Sequence, residues 1–439
     1  MQTNFTADQL KDPDIARADG ILRKCVHCGF CTATCPTYVE TGDERDSPRG
    51  RIWLIRDLLE GNLNNAETAG HHLDRCLTCL SCMSTCPSGV DYMHLVDIGR
   101  RHVDKARQRV WFDQLRRRLL VSVLPHAGRA YVMLMLGWLA RPIRVFLPQS
   151  LREMLNVVPA SMPRFDRVGA RDTVYPADSG APTHRVALLA GCAQRAIDPS
   201  INASTIRLLN RRGVEVVVRQ KASCCGAVAQ HTGDEGAADK SMAATIRAWA
   251  EAKRDGGLDA VIINTSGCGT MVKDYGDHFS ADPDLAKDAA DISAMTMDIT
   301  EFLDHIGLGP VDAKQSHGLS VAYHAACSLQ HGQQIKQIPK DLLRRAGFDV
   351  REIAEAHLCC GSAGTYNVLQ PELAGRLKER KLKNINAAGA DIVAAGNLGC
   401  INQLADSTAP VVHTVQLLDW VTGGPKPKGV KLPARKSGG

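Results

Sequence analysis

The chain has 439 residues, enough for two or three domains with cores of their own. Its hydrophobic share of 44% and charged share of 23% lie in the globular range. Sixteen cysteines would suggest a disulfide framework only behind a secretory signal. The polar, partly acidic start from Met1 to Pro13 shows neither a signal nor a lipidation motif. A reducing cytoplasm with cysteines kept for metals is the expectation.

Residues 1–110 hold the first eight cysteines. Cys25-Val-His-Cys28-Gly-Phe-Cys31-Thr-Ala-Thr-Cys35-Pro36 and Cys76-Leu-Thr-Cys79-Leu-Ser-Cys82-Met-Ser-Thr-Cys86-Pro87 are two copies of C-x2-C-x2-C-x3-C-P. This is the spacing by which two-cluster ferredoxins hold a pair of [4Fe–4S] cubanes. Two-residue gaps bring three sulfurs to one side of a tight turn. The fourth cysteine, one residue further on and followed by proline, turns away toward the other cluster. The spacing therefore assigns Cys25, Cys28, Cys31 and Cys86 to one cubane, and Cys76, Cys79, Cys82 and Cys35 to the other. Zinc sites built from thiolates take two pairs, not triplets with a trailing Cys-Pro. Between the motifs, Ile52, Leu54, Ile55, Leu58 and Leu59 form a stripe that predicts a helix from about Gly50 to Glu60, with Pro48 just before it.

Residues 111–183 read as a basic and apolar helical segment followed by a linker. The net charge of +6 owes much to Arg100, Arg101, Lys105, Arg107, Arg109 and Arg116 to Arg118. No aromatic-interleaved platform accompanies the run, so nucleic acid is not expected, and a solvated helix face or a contact with anionic lipid is. The apolar run Ala130–Ala140 is too short to span a bilayer, which needs about 20 residues. It predicts a buried helix or a partner-docking surface, with a helix resting on a membrane surface as the alternative. Pro142, Pro148, Pro159, Pro163, Pro176 and Pro182 mark the linker.

From about His184 the pattern becomes α/β and repeats, over residues 184–310 and 311–422. Val186-Ala-Leu-Leu-Ala-Gly-Cys192 matches Val321-Ala-Tyr-His-Ala-Ala-Cys327, and Cys224-Cys225-Gly226 matches Cys359-Cys360-Gly361. Ala260 to Cys268 likewise matches Ile392 to Cys400. Each copy reads strand, helix, strand, Cys-Cys-Gly, helix, strand, Gly-Cys, which implies a parallel sheet with crossovers. Ligands bind beyond the carboxyl ends of such strands. Cys192, Cys224, Cys225 and Cys268 can thus converge on one site, and Cys327, Cys359, Cys360 and Cys400 on a second. Four thiolates suit an iron–sulfur cluster of unusual type or zinc, while a redox dithiol or inert buried thiols stay open. His231, His324, His331 and His357 lie nearby, and none is singled out. The Gly-, Pro- and Lys-rich residues 423–439 predict a disordered tail. The fold class expected is α+β multidomain: a helical two-cluster domain followed by a duplicated parallel-sheet α/β domain.

No G-x-G-x-x-G in a strand–turn–helix context and no G-x-x-x-x-G-K-[ST] occurs, so no flavin, nicotinamide or ATP site and no catalytic residue is assigned. The two cysteine motifs, Asp46-Ser-Pro-Arg-Gly-Arg-Ile, Leu73-Asp-Arg-Cys-Leu-Thr-Cys, Cys86-Pro-Ser-Gly-Val and Leu358-Cys-Cys-Gly-Ser-Ala-Gly-Thr-Tyr resemble the iron–sulfur subunits of bacterial glycolate oxidase. The resemblance runs from about Phe5 to about Val421. It implies an electron-transfer subunit at work in the cytoplasm or on the inner face of the cell membrane. Its FAD-containing partner subunits would oxidise glycolate to glyoxylate, and electrons would pass through two [4Fe–4S] clusters toward a quinone. Related subunits serve D-lactate or glycerol-3-phosphate dehydrogenases, or reduce disulfides directly. The disulfide-reducing module carries a fifth cysteine per site where this chain has Thr265 and Asn397.

Overall fold

The computed structural model describes residues 1–146, 155, 158, 161–316 and 318–432. The N-terminal domain is built on four helices, α1 (Pro13–Arg23), α2 (Pro48–Leu59), α3 (Ala66–Asp74) and α4 (Tyr92–Ala106). Local chemistry starts each of the first two. Asp12 and Ser47 accept from the free amides of Asp14 and Gly50, and a proline stands at the first helical position of both. The stripe on α2 is buried as its spacing predicts, and packs with Leu22, Leu73, Leu95 and Ile98 into one core. Each such side chain contributes roughly 1.5–3 kcal/mol on burial. Gly99 lets α4 approach closely, since a Cβ there would lie 2.7 Å from the Ile55 side chain.

Helices α5 (Trp111–Val123) and α6 (Ala127–Leu139) follow as a hairpin. The expectation of a buried helix is not met: Trp111, Leu115, Val132, Leu136 and Leu139 are exposed, and only Ala127 and Ala130 of α6 are buried. The basic run is not a solvated face either. Arg100 is buried, Arg101 pairs with Asp14, and Arg107, Arg109 and Arg117 all close on the Asp74 carboxylate. These ion pairs tie α4 and α5 to α3, so most of the positive charge is used inside the protein. Much of the Pro-rich linker, from 147 to 160, lies outside the described residues. Strand β1 (Thr173–Tyr175) emerges from its end.

The first repeat runs β2 (His184–Leu188), α7 (Ala193–Ile197), α8 (Ser200–Arg211), β3 (Val214–Val218), α9 (Ala227–Thr232), α10 (Glu235–Gly256), β4 (Ala260–Ile263), α11 (Ser266–Lys273), β5 (Thr296–Asp298) and α12 (Ile299–Ile306). The second runs β6 (Ser320–His324), α13 (Ile338–Arg345), β7 (Asp349–Arg351), α14 (Pro371–Ala387), β8 (Ile392–Ala395), α15 (Leu398–Gln403), β9 (Val411–His413) and α16 (Thr414–Val421). The sheet orders are β1-β3-β2-β4-β5 and β7-β6-β8-β9. Apart from antiparallel β1, every pairing is parallel, and the two repeats share one strand order. Register is equivalent as well: Val186 sits between Val216 and Ala260, as Val321 sits between Val350 and Ile392.

The central strands β4, β6 and β8 are buried along their whole length, as sheets covered on both sides require, whereas the edge strand β7 leaves Asp349 and Arg351 exposed. One continuous core joins the sheets through α8, α12, α13 and α16. Buried Asp419 on α16 receives Arg207 and Arg211 of α8, each at 2.5 Å, and so fastens one repeat to the other. The tail departs from the disorder expected from residue 423 onward: Val430 is buried against this shared core. Residues 433–439 lie outside the described residues. Among the described residues no helix is long and apolar enough to cross a membrane.

Candidate metal centres

The two N-terminal cysteine motifs fold alike. Backbone after the first cysteine turns left-handed at His27 (φ 56°) and Thr78 (φ 50°), and again after the second at Gly29 (φ 82°) and Leu80 (φ 61°). Such turns gather amide N–H groups around an anionic site; the Thr78 amide lies 3.4 Å from the Cys76 sulfur. Short helices Phe30–Ala33 and Ser81–Thr85 then carry the third cysteine, and each ends before the fourth. Cys25, Cys28, Cys31 and Cys86 surround one hollow, while Cys35, Cys76 and Cys79 surround another, with Cys82 on the wall of both. The fourth cysteine of each motif therefore lines the other motif's hollow.

The surroundings fit a metal–sulfur centre. Tyr92 Oη donates toward the Cys76 sulfur at 3.8 Å, and Arg51 Nη1 toward that of Cys35 at 3.9 Å. Arg51 is wholly buried; against that burial, the sulfurs of Cys76 and Cys35 and the Asp46 carboxylate hold it charged. Burial pushes the Cys79 and Cys82 thiols up, so taking a metal must release their protons.

The Asp46-to-Ile52 segment builds this support. Asp46, fully buried, accepts from His72 at 2.7 Å, Arg75 at 2.9 Å and Arg51 at 3.5 Å. Gly50 passes so close to the Glu44 carbonyl that no Cβ fits. Arg49 reaches the His27 carbonyl in the first cysteine loop at 3.4 Å. Motif spacing did not mark Asp46, Arg51, His72 or Tyr92 as functional, because their roles arise from contacts across the fold.

Repeat 2 abuts the second hollow. Cys79 and Cys359 share a small apolar cluster with Leu77, Tyr366 and Leu377, and Tyr366 Oη donates to the Arg75 carbonyl at 3.0 Å. Ser84 and His331 meet at 2.7 Å.

In repeat 2 the Cys327 and Cys359 sulfurs are 3.7 Å apart, and those of Cys360 and Cys400 are 3.4 Å apart. Hydrogen bonding from Cys360 prevails over burial and, helped by His324 and Asn397, brings the Cys400 thiol down to about 5. His324, Cys360 and Cys400 offer ligand atoms all within 4.8 Å of one another. In repeat 1, Cys192 neighbours Cys224 and Cys225 neighbours Cys268, and hydrogen bonding to Cys224 followed by burial pushes the Cys192 thiol up. The position of the absent fifth cysteine is used differently in each copy: Asn397 donates to the Cys400 sulfur at 3.4 Å, whereas Thr265 bonds Gln194. Of the four histidines near the motifs, His324 alone joins a cysteine group of this kind.

Both cysteine quartets open onto one cavity of about 940 Å³. Its remaining wall comes from Leu77 and Thr78 of the second ferredoxin-type loop, from His94 on α4, and from Leu120, Val123 and Leu134 on the α5–α6 hairpin. On α9, Gln230 Oε1 and His231 Nδ1 are buried in this wall and have no hydrogen-bond partner among the described residues. His94 is held between Asp91 at 2.6 Å and Asp274 at 3.1 Å, with Asp277 at 3.2 Å. Burial works against its charge, but the hydrogen bonds to Asp274 and Asp91 raise it to about 10.

Residues 21–90 match the family described as a 4Fe-4S dicluster domain, and residues 186–273 and 321–405 match that described as a cysteine-rich domain. The glycolate oxidase iron–sulfur subunit of Escherichia coli (strain K12) is 38% identical over 423 residues, covering 95% of this chain and 98% of its own. The probable glycolate oxidase iron–sulfur subunit of Bacillus subtilis (strain 168) is 29% identical over 92% of this chain and 93% of its own. Lactate utilization protein A of Shouchella clausii (strain KSM-K16) is 26% identical over 53% of this chain and 98% of its own. With two interlocked cysteine motifs ahead of a duplicated Cys-Cys-Gly unit, and with this extent of likeness, the chain belongs to the family of glycolate oxidase iron–sulfur subunits.

Proposed function

We propose that this chain is the electron-carrying subunit of a glycolate dehydrogenase, joined to FAD-containing subunits that oxidise glycolate to glyoxylate and passing the electrons on toward a quinone. The observation that carries the reading is the exchange of fourth cysteines: Cys86 stands at the hollow of Cys25, Cys28 and Cys31, and Cys35 at that of Cys76, Cys79 and Cys82. The relatives' name supports the choice of glycolate. When bound, two [4Fe–4S] cubanes supply reversible one-electron chemistry. The chain's own residues then do three things. Eight thiolates hold the centres, Arg51 and Tyr92 steady charge on the sulfurs of Cys35 and Cys76, and the apolar rim around exposed Cys28 (Val26 and Phe30) offers a docking face to the flavin-bearing partner.

The acceptor side is the cavity. Its apolar wall under α5–α6 suits a lipid-soluble quinone; His231 Nδ1 can donate to a ring carbonyl, and Gln230 Oε1 can accept from the hydroxyl of the reduced ring. The exposed apolar residues of the hairpin, with Arg118 and Arg129 beside them, suit a peripheral contact with the inner face of the membrane. The Cys-Cys-Gly cysteines would hold a further iron–sulfur centre or zinc. The test is Cys28→Ser or Cys79→Ser in the purified complex. Glycolate should still bleach the partner's flavin, while electron delivery to an external acceptor is lost; unchanged delivery would refute the assignment.

A further inference from the structure

Resting on that reading of the Cys-Cys-Gly cysteines, we propose that the two repeats are not equivalent: repeat 2 holds a metal centre with His324 as a nitrogen ligand beside Cys360 and Cys400, and repeat 1 lacks that centre.

The duplication supplies the comparison. Strands β2 and β6 occupy the same place in the two sheets and share a register, so Val186-Ala-Leu-Leu189 aligns with Val321-Ala-Tyr-His324. Where repeat 1 carries Leu189, repeat 2 carries His324, and both are buried, at 2% exposure each. An imidazole costs more than a leucine in such a place unless its nitrogens are satisfied. Among the described residues His324 Nε2 has no nitrogen or oxygen partner, and the ligand atoms within 4.8 Å of the imidazole are the Cys360 and Cys400 sulfurs. A buried polar atom without a partner calls for a ligand, and the groups next to it are two soft sulfurs. Histidine nitrogen with cysteine sulfur is the donor set that iron and zinc accept.

Three further features single out the same copy. The Cys360–Cys400 separation of 3.4 Å brings two sulfurs to bear on one centre. Asn397, where the disulfide-reducing module carries a fifth cysteine, donates to the Cys400 sulfur, an outer-shell contact that orients a ligand. Lys381 on α14 is buried near these sulfurs, its ammonium held by the Glu355 carbonyl at 2.7 Å, and its charge offsets that of thiolates. In repeat 1, Thr265 is turned to Gln194 instead, and no histidine joins Cys225 and Cys268 among the described residues. His324 thus compensates for a missing cysteine in one repeat only.

The experiment uses the full complex, purified anaerobically. Iron, acid-labile sulfide and zinc are counted per chain in the wild type and in His324→Leu, which installs the residue of repeat 1. The milder His324→Gln and the repeat 1 control Cys225→Ser are measured alongside, with circular dichroism to verify the fold. After challenge with a chelator, both His324 variants should retain at least about tenfold less of the metal beyond the eight irons of the cubanes, since even an outer-shell partner is worth about 10–100-fold in affinity. Cys225→Ser should keep its full complement. Iron with sulfide identifies a cluster and zinc a single ion; either supports the proposal. If the centre is paramagnetic, histidine labelled with 15N should give a directly bound nitrogen coupling that His324→Gln lacks. Full metal retention in folded His324→Leu would overturn the proposal, and so would equal loss in Cys225→Ser. Absence of the eight cubane irons from the wild type would refute the electron-carrier reading instead.

Discussion

Arg51 is the residue on which the second cubane site leans. It is buried with Asp46, His72 and Thr37 in one polar cluster whose outer edge is the sulfur of Cys35. Asp46→Asn removes the carboxylate that balances this buried cation, and breaking a buried pair from one side costs about 3–5 kcal/mol. Urea melts of the holo complex should show a loss of that size. Arg51→Gln removes a positive charge beside a one-electron site, so the reduction potential of the second cubane should fall. The shift should be on the order of 100 mV, the effect of a unit charge several ångströms away at an effective dielectric near 20. Redox titration followed by EPR measures it; an unmoved potential would remove Arg51 from the electrostatics of that centre. Cysteine spacing alone suggests which thiols would share a site, because ligand geometry is encoded over about ten residues of chain. It could not reveal Arg51, Tyr92 or His324. Their partners are set by how α2, α4 and β6 pack, and an isolated arginine or histidine looks the same in any sequence.

At the scale of elements, α4 is latched to repeat 1 through His94, which sits between Asp91 of its own domain and Asp274 and Asp277 of the other. Its pKa is raised to about 10 in the folded protein, against about 6.5 unfolded. The charged latch therefore stabilises fully below about pH 6.5 and is lost as pH rises through about 10. Hydrogen exchange in α4 and the Tyr275–His278 helix should quicken between pH 8 and pH 10, and His94→Asn should flatten that dependence. The α5–α6 hairpin carries a second prediction. Leu134 faces the cavity, so Leu134→Trp should fill it and raise the KM for a short-chain quinone at least about tenfold, as for loss of roughly 1.4 kcal/mol of binding. Glycolate-driven cluster reduction should be untouched; an unchanged KM would move the quinone elsewhere. The apolar run of α6 was visible in the sequence. Which side of it would be covered was not, since the hairpin rests on α7 and α9 far along the chain.

At the scale of the molecule, three units meet around one cavity: the two-motif domain, repeat 1 and repeat 2. The duplication was legible because a lone cysteine, a Cys-Cys-Gly and a Gly-Cys recur in the same order, Cys192 standing as far before Cys224 as Cys327 before Cys359, and the sheets repeat one strand order. The shared core and the contact of Cys79 with Cys359 were not, because they join residues hundreds of positions apart. That contact joins the second cysteine hollow to repeat 2 and the cavity, and Cys28 is exposed at the first hollow; under the proposed function electrons would run from Cys28 toward the cavity.

The central claim is that electrons from glycolate enter this chain. It is tested most directly by anaerobic addition of glycolate to the complex, purified with its partner subunits, while cluster reduction is followed by EPR. The account predicts reduced [4Fe–4S] signals after glycolate and none after glycerol 3-phosphate. Clusters that dithionite reduces but glycolate leaves silent would contradict it.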